Sequence, residues 1–172
     1  MVPCQVNNSE FKSELLLSYR DFGHNAALIN TAISFYEGVT YLVEDDHDIP
    51  EKCSLHLGDV VTINVNDANK EGENYAIIRA IFSYKGNNGC VYAFIAIDWL
   101  EKTNQTNNVL ECLIYKIQSI RNRNWWCIYP LMVVDQANKI NFIHNCLAEK
   151  CVNGHDLANM YNLKNNYFFT AI

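Results

Sequence analysis

Two apolar segments joined by a short glycine-containing turn constrain the fold of this chain more than any other feature. Residues 75–84 read Tyr-Ala-Ile-Ile-Arg-Ala-Ile-Phe-Ser-Tyr, and residues 90–99 read Cys-Val-Tyr-Ala-Phe-Ile-Ala-Ile-Asp-Trp. Both segments are rich in the β-branched and aromatic residues that favour strands. Between them stands Lys-Gly-Asn-Asn-Gly, in which glycine can supply the positive φ of a hairpin turn. The pattern predicts an antiparallel hairpin whose first strand is apolar enough to lie centrally in a sheet.

The beginning of the chain has a different pattern and predicts a helical lead over residues 1–32. Ser9 is placed to cap a helix that runs to Tyr19. Phe11 and Leu15, together with Tyr19, recur at the spacing of one helix face. After residue 32 the period changes to the alternation of strands.

Further strand patterns follow along the chain, separated by polar loops. They lie at residues 33–43 (two short strands about a turn at residues 37–38), 57–65, 110–117, 129–134 and 140–146. Short strands at near-regular spacing are typical of a small antiparallel barrel or a curled sheet. We therefore expect a mainly β fold, with a β domain over residues 33–146 and a C-terminal tail over residues 147–172.

Composition and charge narrow the class of partner. The chain has 172 residues, of which 49% are hydrophobic and 19% charged, as expected for one packed globular domain. Its net charge of −6 disfavours autonomous binding of DNA or RNA, because such binders gain most of their affinity from basic surfaces. An acidic surface suits a basic protein partner such as a histone tail.

No charged-then-apolar leader opens the sequence, and no apolar run approaches the roughly 20 residues needed to span a bilayer. We therefore expect an intracellular protein without a membrane partner. Its seven cysteines are then not expected to form disulfides, which persist mainly in oxidising compartments.

Several short motifs occur in a fixed order along the β region. They are Leu57-Gly58-Asp59-Val60-Val61, Tyr75-Ala76-Ile77-Ile78-Arg79-Ala80-Ile81-Phe82, Val91 to Trp99, Leu110-Glu111-Cys112, Tyr129-Pro130-Leu131 and Ile140 to Ile143. In this order they resemble the strands of a bromo-adjacent homology (BAH) domain, over residues 33–146. A block in a group of uncharacterised fungal proteins is also similar.

The resemblance implies a non-enzymatic, chromatin-associated interaction module in the nucleus that binds a histone or other basic peptide. Some BAH domains read methylated lysine through an aromatic cage, and each cation–ring contact contributes about 0.5–2 kcal/mol. The candidate peptide-binding residues here are Tyr92, Trp99, Trp125, Trp126 and Tyr129. Two adjacent tryptophans on a strand face opposite sides, so one of Trp125 and Trp126 is expected to face outward or into a groove. For Trp99 the alternative is ordinary core packing.

A cluster of metal-binding residue types follows the last predicted strand. Its members are His144, Cys146, Cys151 and His155. Imidazole and thiolate are the ligands that tetrahedral zinc prefers, and the spacing would let one loop wrap a single ion. The sequence therefore predicts one structural zinc as the only candidate cofactor. The alternative is that His144 and Cys146 share a strand face while Cys151 is free in a loop.

The same stretch also resembles the zinc-bound His-Me finger of some homing endonucleases. That resemblance implies His144 as general base, Asn162 or Asn165 as ligand of a catalytic divalent ion, and three zinc ligands, namely Cys146, Cys151 and His155. The preferred hypothesis is the non-enzymatic interaction module. The alternative is a metal-dependent endonuclease of this type, or its inactive relic.

Overall fold

A computed structural model describes residues 8–21, 33–43, 51–64, 74–86, 89–109, 111–118, 128–135, 142–144 and 161–164. Within these residues the fold is mainly β. The elements are α1 (Asn8–Asp21), β1 (Ser34–Tyr36), β2 (Gly38–Val43), β3 (Glu51–His56), β4 (Val60–Ile63), β5 (Tyr75–Lys85), β6 (Val91–Thr106), β7 (Leu113–Ile117), β8 (Ile128–Pro130), β9 (Val134–Asp135), β10 (Phe142–His144) and β11 (Tyr161–Lys164). A 3-10 turn, Leu131–Val133, separates β8 from β9.

The described strands form two antiparallel sheets. Nine strands make the larger sheet, in the order β10-β11-β7-β6-β5-β4-β9, with β1 added to β5 and β8 added to β6. β2 and β3 form a separate hairpin. The expected mainly β, antiparallel fold is therefore confirmed. These strands do not form a closed barrel.

The central hairpin agrees with the prediction. β5 and β6 pair antiparallel from Lys85 and Val91 at the turn to the far end of β5. Gly89 has a φ of +80°, and its N–H donates to the Gly86 carbonyl at 3.0 Å. β4 pairs with the other edge of β5, so β4, β5 and β6 lie side by side in one sheet.

The strand predicted to begin at residue 57 begins at Val60 instead. Leu57 and Gly58 form a turn, and Gly58 has a φ of +87°, which glycine adopts without strain. The Gly58 N–H still donates to the Ile78 carbonyl of β5, at 2.8 Å. The Gly-Asp motif therefore directs the chain from the β2–β3 hairpin into the sheet.

β1 and β2 are two short strands separated at Glu37, as expected, but each pairs with another strand. β1 lies against β5, and β2 lies against β3. The hairpin covers one face of the large sheet, where Val39 and Tyr41 of β2 pack against the largest core cluster. That cluster includes Leu55 of β3 and a set of residues from the large sheet, namely Val61, Ile63, Ala76, Ile78, Ile81, Ile95, Ile97, Trp99 and Tyr129.

A β-bulge in β5 interrupts the alternation of its side chains between the two faces of the large sheet. The pairing of β5 with β6 shifts between Ile78 and Ala80, so Arg79 is the extra residue. On this second face one cluster packs against Leu15 of α1, and a separate cluster is centred on Tyr115 of β7. Both faces of β5 are therefore covered, as expected of a central strand.

The segment from Ile128 to Asp135 joins two edges of the large sheet. β8, at its beginning, pairs with β6, and β9, at its end, pairs with β4. Pro130 has no N–H to continue a ladder, and the 3-10 turn that follows directs the chain away from β6.

β11 comes from the segment that the sequence assigned to a C-terminal tail. It lies between β7 and β10 and pairs with both. Residues 161–164 therefore belong to the large sheet.

Candidate functional site

A surface cleft lies where β8 separates from β6. β8 pairs with β6 only at residues 94–96, and Pro130 is its last residue. From there the 3-10 turn diverges while β6 continues back to Val91. The gap between the two segments has a volume of about 250 Å³.

The walls of the cleft are almost entirely apolar or aromatic. Tyr41 of β2 contributes to them, together with Val91, Tyr92, Ala93, Phe94, Pro130, Leu131 and Met132. The side chains of Val91 and Met132 are 66% and 74% exposed, although their neighbours Leu131 and Phe94 are buried. Exposed apolar side chains beside a concave apolar surface are typical of a binding site.

Tyr41 connects this cleft with the core. It stands opposite Cys53 in the β2–β3 hairpin and packs against the largest core cluster. Its hydroxyl oxygen is buried, and no hydrogen-bond partner for it occurs among the described residues. Burial raises the pKa of the Tyr41 hydroxyl well above its usual value, and the neighbouring Cys53 thiol adds to this shift. The hydroxyl therefore stays protonated at neutral pH.

The structure separates the aromatic residues predicted to bind a peptide. Tyr92 is half-buried and lines the cleft. Trp99 and Tyr129 are buried in the core, where their rings meet edge to face with centroids 5.7 Å apart. Trp125 and Trp126 lie outside the described residues. A ligand could reach Trp99 or Tyr129 only if the core opened, so Tyr92 is the candidate among the described residues that a peptide can contact directly.

Most of the predicted metal ligands also lie outside the described residues. Cys146, Cys151 and His155 are among these, whereas His144 is the last residue of β10. In the part of the chain that the structure describes, no group of three or more His, Cys, Asp or Glu residues could hold a metal ion. The backbone register does place His144 directly opposite Asn162 of β11. Asn165 follows the end of β11 and is not described.

A buried ion pair lies at the bulge of β5. The Arg79 Nε donates to Asp98 Oδ2 of β6 at 2.7 Å, and the Arg79 side chain is only 6% exposed. A charge at such depth is tolerated because it is paired. Neither residue lines the cleft, so we assign the pair to the architecture.

Of the eight cleft residues, sequence reasoning identified only Tyr92 and missed seven, namely Tyr41, Val91, Ala93, Phe94, Pro130, Leu131 and Met132. One signal was available, because a proline within a predicted strand marks the point where pairing ends. Residues 129–134 were instead predicted as one strand. No sequence pattern indicated that β2 would bring Tyr41 to this place.

Neither the protein-family models nor the characterised proteins with which the sequence was compared include a match to this chain. Within the described residues no helix is long and apolar enough to cross a membrane. Because no match indicates a role for the cleft, its role is inferred from its own geometry.

Proposed function

We propose that this chain is a non-enzymatic protein-interaction module with a BAH-like curled sheet, and that it acts on chromatin in the nucleus. The observation that supports this proposal is the cleft between β6 and the 3-10 turn. Its apolar walls and exposed rim suit a side chain of a peptide better than a polar metabolite. The net charge of −6 favours a basic peptide, and a histone tail is the partner that we propose.

Tyr92 belongs both to this cleft and to the aromatic set that the BAH resemblance implies. With Tyr41 it provides two aromatic rings, and a ring face attracts an alkylated ammonium by about 0.5–2 kcal/mol. A lysine side chain of the bound peptide, methylated or not, could lie along the exposed rim of the cleft, with its alkyl stem against Val91 and Met132.

The test is a screen of the purified chain against histone-tail peptides, unmodified and lysine-methylated, followed by calorimetry on the tightest ligand. We expect Val91→Ser and Met132→Ser each to weaken binding by about tenfold, because burying one such side chain contributes roughly 1.5 kcal/mol or more. Val109→Ser is the matched control. Val109 is 87% exposed but lies beyond the opposite end of β6. An array without ligands, or equal binding by all three variants, would refute the cleft as the binding site.

One observation favours the alternative endonuclease function. β10 and β11 pair antiparallel, and in sequence they stand on either side of the three zinc-ligand candidates Cys146, Cys151 and His155. His144 stands opposite Asn162, the two residues that would serve as general base and catalytic-metal ligand. Opposite residues of an antiparallel pair have Cα atoms about 4.5–5.5 Å apart, so one site could include both.

This alternative is tested by metal analysis and plasmid nicking. If zinc is bound, by Cys146, Cys151 and His155 as in the endonuclease or with His144 as fourth ligand in a structural site, the purified protein should contain about one equivalent of metal, and Cys151→Ser should lose it. A chelator should then destabilise the C-terminal region, because metal binding and local folding are coupled. Nicking in Mg²⁺ that His144→Ala abolishes would establish the nuclease and overturn our preferred proposal. Protein without metal and without nicking activity would exclude both the zinc site and the nuclease.

A further inference from the structure

The turn between Gly86 and Cys90 determines the direction in which the backbone N–H and C=O groups of β6 point beside the cleft. The Gly86 N–H donates to the Cys90 carbonyl at 2.9 Å, and the next opposite pair is Lys85 and Val91. Opposite residues of an antiparallel pair alternate between hydrogen-bonded and non-hydrogen-bonded positions. Val91 therefore occupies a non-hydrogen-bonded position relative to β5, and so does Ala93 two residues later.

The N–H and C=O groups of Val91 and Ala93 consequently face away from β5, toward the side on which β8 lies. β8 pairs with β6 only at residues 94–96. Among the described strands, none pairs with residues 91–93 on this side. An exposed strand edge and an apolar cleft thus lie side by side, and this combination is found where an extended peptide adds to a sheet.

We propose that an extended segment of a basic partner protein adds to β6 at Val91–Ala93 and places one aliphatic side chain in the cleft. This inference rests on the proposed interaction function and specifies its geometry. The strand edge requires an extended backbone. The volume of about 250 Å³ exceeds the roughly 150 Å³ of a cavity that holds benzene and falls below the roughly 300 Å³ at which drug-sized sites begin. The cleft therefore fits one side chain, and the net charge of −6 of the whole chain favours a basic over an acidic segment.

The experiment uses the full chain and a synthetic peptide, acetyl-Lys-Val-Leu-Val-Lys-amide, followed by NMR amide hydrogen exchange. At saturating peptide we expect exchange of the Val91 amide to slow at least tenfold. The Tyr92 amide, which faces β5 in the alternation, is the internal control and should not change. Resonances of Met132 should shift, since it lines the cleft. An acidic analogue with glutamates in place of the lysines should bind at least fivefold more weakly.

Each other outcome has a definite meaning. Shifts at Met132 with unchanged exchange at Val91 would overturn strand addition and leave the interaction function standing. Protection of Val91 that grows with protein concentration in the absence of peptide would identify a second copy of the chain as the occupant and overturn the basic partner. Equal binding of the acidic analogue would overturn the charge selection. Unchanged Met132 resonances would overturn strand addition with a side chain in the cleft. If the histone-tail array also showed no ligand, the proposed interaction function would be overturned as well.

Discussion

The Tyr41 hydroxyl is a polar group inside an apolar wall. A tyrosine in a strand pattern is read from sequence as one more apolar core residue, and its body does pack against the core. Its buried oxygen, however, has no hydrogen-bond partner within the described part of the chain. A buried polar group left in this state costs about 1–3 kcal/mol. The phenol therefore lowers the stability of the fold, and removing its oxygen should raise it.

We expect Tyr41→Phe to raise the free energy of unfolding by about 1 kcal/mol at pH 7, as measured by urea denaturation. The variant should also lose part of the pH dependence above about pH 10. Because the folded-state pKa of Tyr41 is raised, the unfolded chain releases this proton first, and wild-type stability falls as the pH rises past the ordinary tyrosine pKa of about 10.

Tyr36→Phe is the control for this comparison. The Tyr36 hydroxyl is exposed and lies 3.0 Å from Ser83 Oγ, so its removal should change stability by less than about 0.5 kcal/mol. A Tyr41→Phe variant less stable than wild type at pH 7 would show that the oxygen has a partner in solution.

At the scale of elements, the bulge in β5 explains how one strand serves two core clusters on the same face. If β5 continued in strict alternation through Arg79, without the bulge, Ile77 and Ala80 would lie on opposite faces. With it, Ile77 joins the cluster around Tyr115, and Ala80 joins the cluster against α1. Asp98, the ion-pair partner of Arg79, stands in β6 between Ala96 of one cluster and Leu100 of the other.

We expect Arg79→Met to destabilise the fold by about 3–5 kcal/mol, because it removes the charge partner of a largely buried carboxylate. Replacing both partners, as Arg79→Met with Asp98→Leu, should cost less than this single change. Lys116→Met is the matched control. Lys116 pairs with Glu101 at 3.5 Å, but both side chains are more than 40% exposed, and such pairs contribute about 1 kcal/mol or less. Equal losses in Arg79→Met and Lys116→Met would contradict the assigned role.

Sequence reasoning succeeded where a signal was local. The β5–β6 hairpin carries its own alternation and its own glycine turn, and both strands formed, although β6 continues beyond its predicted end at Trp99 to Thr106. Contacts between distant segments left no such signal. β11 reads as part of a polar, asparagine-rich tail, and its strand state depends on pairing with β7 and β10. Trp99 shows the same limit, because the sequence pattern around an aromatic residue of a strand is the same whether its side chain faces the core or a ligand.

At the scale of the whole molecule, one segment both completes the sheet and forms a wall of the cleft. Residues 128–135 leave β6 at Pro130 and reach β4 at Val134 and Asp135. That course opens the cleft on one side and covers the core with Leu131 and Val133 on the other. A cleft made in this way is fixed in position by the core, and a preorganised surface lowers the entropic cost of binding.

The long reach of this segment has a kinetic consequence. The β5–β6 hairpin pairs residues that are close in sequence. Thr62 and Asp135 also pair, but they lie far apart in sequence. Contacts between distant residues form slowly, because the entropy of loop closure must be overcome first. We expect Val134→Ala to speed unfolding with little change in the folding rate, and Ile95→Val in the hairpin to slow folding, as read from the two limbs of a chevron plot. If Val134→Ala slowed folding as much as Ile95→Val did, the closing contact would belong to the nucleus, and the cleft would exist from the earliest stage at which the chain is ordered.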